Sequence, residues 1–451
     1  MAGGKSDIGA ALESLVRARP DLWSLSACGV TRSRSSIPAL LDRDAYAHGS
    51  ERVRALLVSG LSGERRDVET SLRVLEDFAH RGDRLAERVG LSAVPCAHPD
   101  GLARDVGPES GAGYPPEGGF FHDPGRPERR YLWRWICFQA PDLVVELRSG
   151  EGAAWEVNEA AAHLAPALDA GRLDPPDSLV AALGTGRPSG LAPVQGVRLT
   201  ADPERAIAEM DRLWAAVLRS SGSWASPARV ELGRRRVRSP LEIGRVLASV
   251  YGHTLDPVVY TQGVAMSGRL RLAALEASVP SPAQDITRVV SSYASSPDSA
   301  FGDAPQTAGL AGVLWGDELT DATGDARFAD LVVGAADLYR PRGPGQAPMP
   351  ADVDFRVEDM FFAATILGRA YGITGDRSYA DLLAEFLIDT GTQQPDGLFW
   401  HCLSAPYYWG RGNGFAALGM AEALTYLPDE HPHRAAIVSS FRRQMDALRA
   451  L

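Results

Sequence analysis

Thr323-Gly-Asp-Ala-Arg-Phe-Ala-Asp-Leu331 and Thr374-Gly-Asp-Arg-Ser-Tyr-Ala-Asp-Leu382 are two copies of one pattern. The glycine in each, Gly324 or Gly375, suits the left-handed residue that ends a helix. The aspartate that follows, Asp325 or Asp376, suits the cap of the next helix. Each copy therefore reads as helix, tight turn, helix. Copies about 50 residues apart point to stacked α-hairpins, as in a solenoid or an α/α toroid.

Working outward, apolar periodicity predicts eight helices in four hairpins, over 261–277, 282–294, 307–322, 326–338, 357–373, 378–390, 412–427 and 433–450. Two more, 204–218 and 240–251, read as a bridge to the first half. That first half has a different rhythm. VRALLVS (53–59), LSAVP (91–95) and PDLVVEL (141–147) read as short buried strands. They alternate with helical stretches at 67–80 and 131–139. Such alternation implies a mostly parallel or mixed sheet with helices on both faces. The expected organisation is an α/β domain over 1–200, a helical bridge over 201–257, and an all-α domain over 258–451.

The chain has 451 residues, too long for one ordinary core. Its formal net charge of -11 argues against nucleic acid, which needs a basic face. Nearly all the positive charge is arginine, with Lys5 the only lysine. The four cysteines, Cys28, Cys96, Cys137 and Cys402, are scattered without metal-ligand or disulfide spacing. A reducing, cytoplasmic setting is the expectation. No run of about 18 apolar residues is present, so no membrane span is expected.

Chemistry concentrates in GLFWHCLSAPYYWGRGNGFAALGMAE (397–422), where Trp and Tyr rings stand beside His401 and Arg411. Such a set suits a ring-shaped, polar, anionic ligand. Four passages from about residue 260 onward resemble the unsaturated glucuronyl and rhamnogalacturonyl hydrolases, an α/α-barrel glycoside hydrolase group. They are Val357-Glu-Asp-Met-Phe-Phe-Ala-Ala-Thr-Ile-Leu367, Gly397-Leu-Phe-Trp-His401, Trp409-Gly-Arg-Gly-Asn-Gly-Phe415 and Leu427-Pro-Asp-Glu-His-Pro432. The resemblance implies Asp359 as a general acid/base. That group would protonate the double bond of a 4,5-unsaturated uronic acid, after which water adds to the adjacent carbon. It also implies His401, Trp409 and Arg411 as substrate contacts, with Trp400 as a second stacking ring and Arg411 as a carboxylate fork.

Departures accompany the resemblance. The family's second acid falls at Thr307, with Asp303 nearby but out of register. Phe415 stands where the family has Trp. The family barrel has twelve helices against about eight here, so an incomplete α/α barrel is expected, its apolar faces covered by a partner, by self-association or by the first half. Each site residue also has a plain structural role open to it: Asp359 as a helix cap, Trp409 with Arg411 as a cation–π pair that fixes a loop.

A second resemblance covers about 27–150. Ser59-Gly-Leu-Ser-Gly-Glu-Arg65, Val94-Pro-Cys-Ala-His-Pro-Asp-Gly101 and Pro141-Asp-Leu-Val-Val-Glu-Leu-Arg148 are similar to motifs of the zinc carboxypeptidases. The family's metal ligands fall at Ser62, Arg65 and Arg148. Zinc needs imidazoles and a carboxylate, and arginines repel it. No metal or other cofactor is therefore expected. His98 and His122 do not restore the spacing. The leading expectation is a hydrolase of unsaturated uronic-acid oligosaccharides. The alternatives are a non-catalytic binding or scaffold protein built from two degenerate enzyme folds and, more remotely, an amidase or peptidase of the first half.

Overall fold

A computed structural model describes residues 3–47, 49–81, 83–104, 113–116, 126–173, 178–185, 192–219, 224–276, 279–295, 300–301, 306–341, 354–388 and 390–451. Most of the glycine-rich stretch 107–125, with His122, and Asp303 lie outside the described residues. The chain divides into two compact units, Met1–Val237 and Arg238–Leu451.

The first unit is built on an eight-stranded sheet. Its strands are β1 (Trp23–Val30), β2 (Ser36–Asp42), β3 (Val53–Ser59), β4 (Val89–Val94), β5 (Leu143–Ser149), β6 (Ala153–Val157), β7 (Gly171–Arg172) and β8 (Gln195–Ala201). Their order is β1-β2-β4-β3-β5-β8-β6-β7. The central strands β4, β3, β5 and β8 run parallel. Antiparallel β2 and β6 flank them. Parallel strands covered on both faces read as unbroken apolar runs, and β3 does so. Its Ala55 and Leu57 enter one core and Leu56 and Val58 the other. The helices α1 (Gly3–Ala18), α2 (Arg65–His80) and α4 (Pro203–Arg219) cover the first face, and α3 (Pro127–Gln139) and α5 (Pro227–Arg236) the second.

The second unit is all helical: α6 (Pro240–Ala248), α7 (Tyr260–Leu275), α8 (Ala283–Ser295), α9 (Thr307–Leu310), α10 (Gly316–Thr323), α11 (Arg327–Asp337), α12 (Val357–Thr374), α13 (Arg377–Glu385), α14 (Gly410–Tyr426) and α15 (Arg434–Arg449). The stretch read as a bridge thus gives α4 and α5 to the first unit and α6 to the second. Both repeat turns form as the sequence implies. Gly324 and Gly375 take φ of 75° and 70°. Asp325 accepts the Arg327 N–H at 3.1 Å and Asp376 the Ser378 N–H at 3.0 Å.

One predicted helix is broken. In 307–322, α9 gives way to a 3-10 turn, Ala311–Val313, before α10 begins. Gly309, Gly312 and Gly316 weaken the helix here. The Trp315 indole also takes the Gly312 carbonyl at 2.8 Å.

The centre of the unit is α12, buried from Asp359 to Ala370 without interruption. A helix apolar all round belongs in a core. It packs so closely on α14 that a Cβ at Gly419 would lie 2.5 Å from the Met360 carbonyl oxygen. Nearer the start of α14, a Cβ at Gly412 would lie 2.7 Å from the Val357 side chain, which places the two helix starts side by side.

Candidate functional site

Residues near the N-termini of α7, α9, α12 and α14 wall one cavity of about 390 Å³. Alternate helices aiming their starts at one mouth is the arrangement of an α/α-barrel wall. The cavity is lined by Tyr260, Gln306, Thr307, Ala308, Arg356, Glu358, Asp359, Phe362, Arg411 and Phe415.

Asp359 sits on α12, third from its start, and is buried. Its Oδ1 accepts the Thr307 hydroxyl at 2.8 Å and its Oδ2 the Arg356 backbone N–H at 3.3 Å. Asp359 is therefore both the cap of its own helix and a wall of the cavity; the two roles coexist. Behind it lies Tyr339, fully buried. Burial first, and the Asp359 charge second, push the Tyr339 hydroxyl well above its usual range.

Arg411, in the first turn of α14, lines the same cavity, with its guanidinium 4.3 Å from the Trp409 ring centre. Trp409 and His401 are not among the lining residues, yet both connect to it. The His401 ring meets Trp409 edge-on at 5.2 Å and stacks on Tyr407 at 5.5 Å. Its Nε2 faces Glu358 Oε2 at 3.4 Å. Glu358, His401, Trp409 and Arg411 thus form a chain of contacts whose two ends, Glu358 and Arg411, line the cavity with Asp359. Trp400 stands apart from the lining, on an extended segment bridged to Tyr408.

Backbone contacts place this run. The His401 carbonyl accepts the Val357 N–H at 3.0 Å, tying the loop to the start of α12. Asn413, buried in α14, brackets Phe399 with two bonds of 2.9 Å, one to its N–H and one to its carbonyl. Gln444 of α15 donates to the Asn413 carbonyl at 2.8 Å.

Three cavity groups were not singled out from the sequence: Glu358, Arg356 and Tyr260. Glu358 and Arg356 flank Asp359 and Val357 in one short stretch. Neighbours in a helix point about 100° apart, so a motif read for one residue hides the next. Tyr260 opens α7 and packs on Phe362 and Phe415, ring centres 4.9 and 5.4 Å away.

In the first unit, two of the positions that match zinc ligands, Ser62 and Arg148, are engaged in internal bonding. Asp67 of α2 accepts the Ser62 hydroxyl at 3.1 Å, the Ser149 N–H at 2.7 Å and the Ser149 hydroxyl at 2.6 Å. Arg148 pairs with Glu146 at 2.6 Å. Among the described residues, no group of three or more His, Cys, Asp or Glu is placed to hold a metal. No described helix is long and apolar enough to cross a membrane.

Residues 357–451 match the family model of Glycosyl Hydrolase Family 88. The matched stretch begins at α12 and contains Asp359, His401, Trp409 and Arg411. No curated protein matches the chain. Solved structures similar to it fall in two groups, one for each resemblance read from the sequence. One is a metallo-carboxypeptidase from Burkholderia cenocepacia, 14% identical over 46% of this chain and 67% of that one, with a TM-score of 0.38. The others are a family 105 glycoside hydrolase from C. acetobutylicum and a family 88 glycosyl hydrolase from Bacteroides vulgatus. They are 14% and 16% identical, cover 47% and 49% of this chain and 64% and 65% of theirs, and have TM-scores of 0.36 and 0.34.

Proposed function

We propose that the second unit hydrolyses oligosaccharides ending in a 4,5-unsaturated uronic acid, with Asp359 as the proton-transferring group. One observation carries this reading: the Asp359 carboxyl, inside the stretch that matches a glycosyl hydrolase family, lines a cavity with two arginines, Arg356 and the Trp409-backed Arg411. Arg411 and Arg356 hold the uronate carboxylate. Asp359 handles the proton as the enol-ether double bond is saturated and water bonds to the adjacent carbon. The product is a hemiketal that opens and frees the sugar next to it. The carboxyl separation rule for ordinary glycosidases has no bearing here, because the anomeric carbon is not displaced.

A second reading, a non-catalytic sugar-binding unit, draws on Thr307. A hydroxyl fills the place of the family's second acid and occupies one oxygen of Asp359. One assay separates the two. The intact chain is incubated with an unsaturated uronate disaccharide, and the ultraviolet absorbance of the double bond is followed. Hydrolysis removes it; binding alone leaves it, as does Asp359→Asn.

A further inference from the structure

Two carboxyl groups line the cavity, Asp359 and Glu358, and they are equipped differently. Both oxygens of Asp359 already accept hydrogen bonds, from Thr307 and from the Arg356 N–H. Both Asp359 oxygens are thus held by donors at the start of its helix. Glu358 has one oxygen, Oε2, buried and without a hydrogen-bond partner among the described residues. That oxygen faces His401 Nε2 at 3.4 Å. The other ring nitrogen of His401 lies 3.4 Å from the Tyr407 hydroxyl and 3.7 Å from the Cys402 sulfur.

We infer that Glu358 is a second catalytic carboxyl of this cavity and that His401 positions and reloads it. A carboxyl beside an imidazole can share one exchangeable proton, carried by either partner, and histidine is the side chain that exchanges protons near neutral pH. Glu358 thereby takes the place of the acid missing at Thr307, from the same helix turn as Asp359. The inference rests on the hydrolase reading and divides its two proton steps. Glu358, as the carboxylic acid, gives its proton to carbon 4 of the uronate, and the double-bond electron pair forms the new C–H bond. The ring oxygen shares the positive charge left at carbon 5. A water oxygen bonds to carbon 5 and passes a proton to Asp359. Glu358 ends charged and Asp359 protonated; His401 reloads Glu358, and Asp359 gives its proton to solvent in the cavity. The other charged or titratable groups facing the cavity are Arg356 on the approach to α12, Arg411 on α14 and Tyr260 on α7.

The test is the pH–rate profile of the intact protein on an unsaturated uronate disaccharide, with Glu358→Gln beside the wild type. The wild type should give a bell. E358Q should lower kcat about 100-fold, keep KM within about threefold, and lose the alkaline limb that reports the proton donor. In substrate-free protein, the ring nitrogen signals of His401 should move when Glu358 becomes Gln. Should E358Q lose its fold, His401→Asn asks the same question, with an expected fall in kcat of about tenfold and an altered alkaline limb. An active wild type with E358Q within twofold of it, or His401 signals blind to the substitution, overturns the role of Glu358 alone. A wild type inactive at every pH overturns the hydrolase reading and this inference with it.

Discussion

Asp67 and Asp359 are the same residue in the same local setting, and they differ in everything that decides chemistry. Each is the third residue of a helix, α2 or α12, and each is buried to 4% exposure. Around Asp67 the first unit supplies three donors, two from Ser149 and one from Ser62. Asp67 is not among the residues lining the 580 Å³ cavity of that unit. Around Asp359 the second unit supplies donors from Thr307 and the Arg356 N–H and leaves the carboxyl on a cavity wall with Arg356, Glu358 and Arg411. Of these two aspartates, Asp359 lines a charged cavity, and Asp67 is held by the serines around it. Chemistry resides in the side chains placed on a fold.

The largest expected effect tests that contrast directly. Asp359→Asn should remove about 10²–10⁴-fold of kcat on an unsaturated uronate, because the amide cannot exchange the proton. Asp67→Asn should leave kcat unchanged. Following the loss of double-bond absorbance for both variants checks this. Equal loss in both would break the comparison.

The fold was legible because it depends on local patterns. Gly324 and Gly375 announce their turns in any context, since few residues accept a left-handed backbone. VRALLVS announces a buried strand by its unbroken apolar run. The break between α9 and α10 was not legible. It depends on the Trp315 indole reaching Gly312, a contact no periodicity encodes. For the site, the positions of Asp359 and Arg411 could be taken from motif spacing. Glu358 and Arg356 could not, because their role depends on which way α12 is rotated. That rotation is set by packing, where α14 presses Gly419 on the Met360 carbonyl. Asn413, inside the Trp409–Phe415 motif, holds Phe399 on both sides.

Further along α12, Arg369 sharpens the contrast from within the second unit. It is 1% exposed and contacts Glu422 at 2.8 Å, Asp317 at 3.2 Å and Glu318 at 3.4 Å. Burial alone would lower its proton affinity; the charges of Asp317 and Glu422 reverse that, and it is held firmly charged. Arg369→Met would strip three carboxylates of their shared cation, leaving Arg271 near Glu318 and Glu422. A cost of about 3–5 kcal/mol is expected, read from hydrogen exchange of the α12 amides in the intact chain. In the first unit, Asp67→Ala would leave the Ser149 N–H without its acceptor, at about 2–3 kcal/mol. Exchange of the β5 amides reports it, and α12 should not respond. A response in both units would mean that their stabilities are not separable.

The smallest effect concerns a third aspartate, Asp317 of α10, which pairs with Arg369 and accepts the Tyr426 hydroxyl at 3.4 Å. Burial pushes its carboxyl up to about 6, with the nearby Arg369 charge working the other way. In the unfolded chain it returns to about 4. The folded unit therefore binds this proton more tightly than the unfolded chain does. The stability it contributes is fully present below about pH 4 and is lost as pH rises through about 6. The side chain is about one fifth exposed, so screening trims the loss to about 1–2 kcal/mol. Hydrogen exchange of α10 and α12 at pH 5 and pH 7, with the intrinsic pH effect on exchange removed, measures it. Asp317→Asn should flatten the difference. A steeper loss toward low pH would instead mean that the Arg369 charge outweighs burial at Asp317.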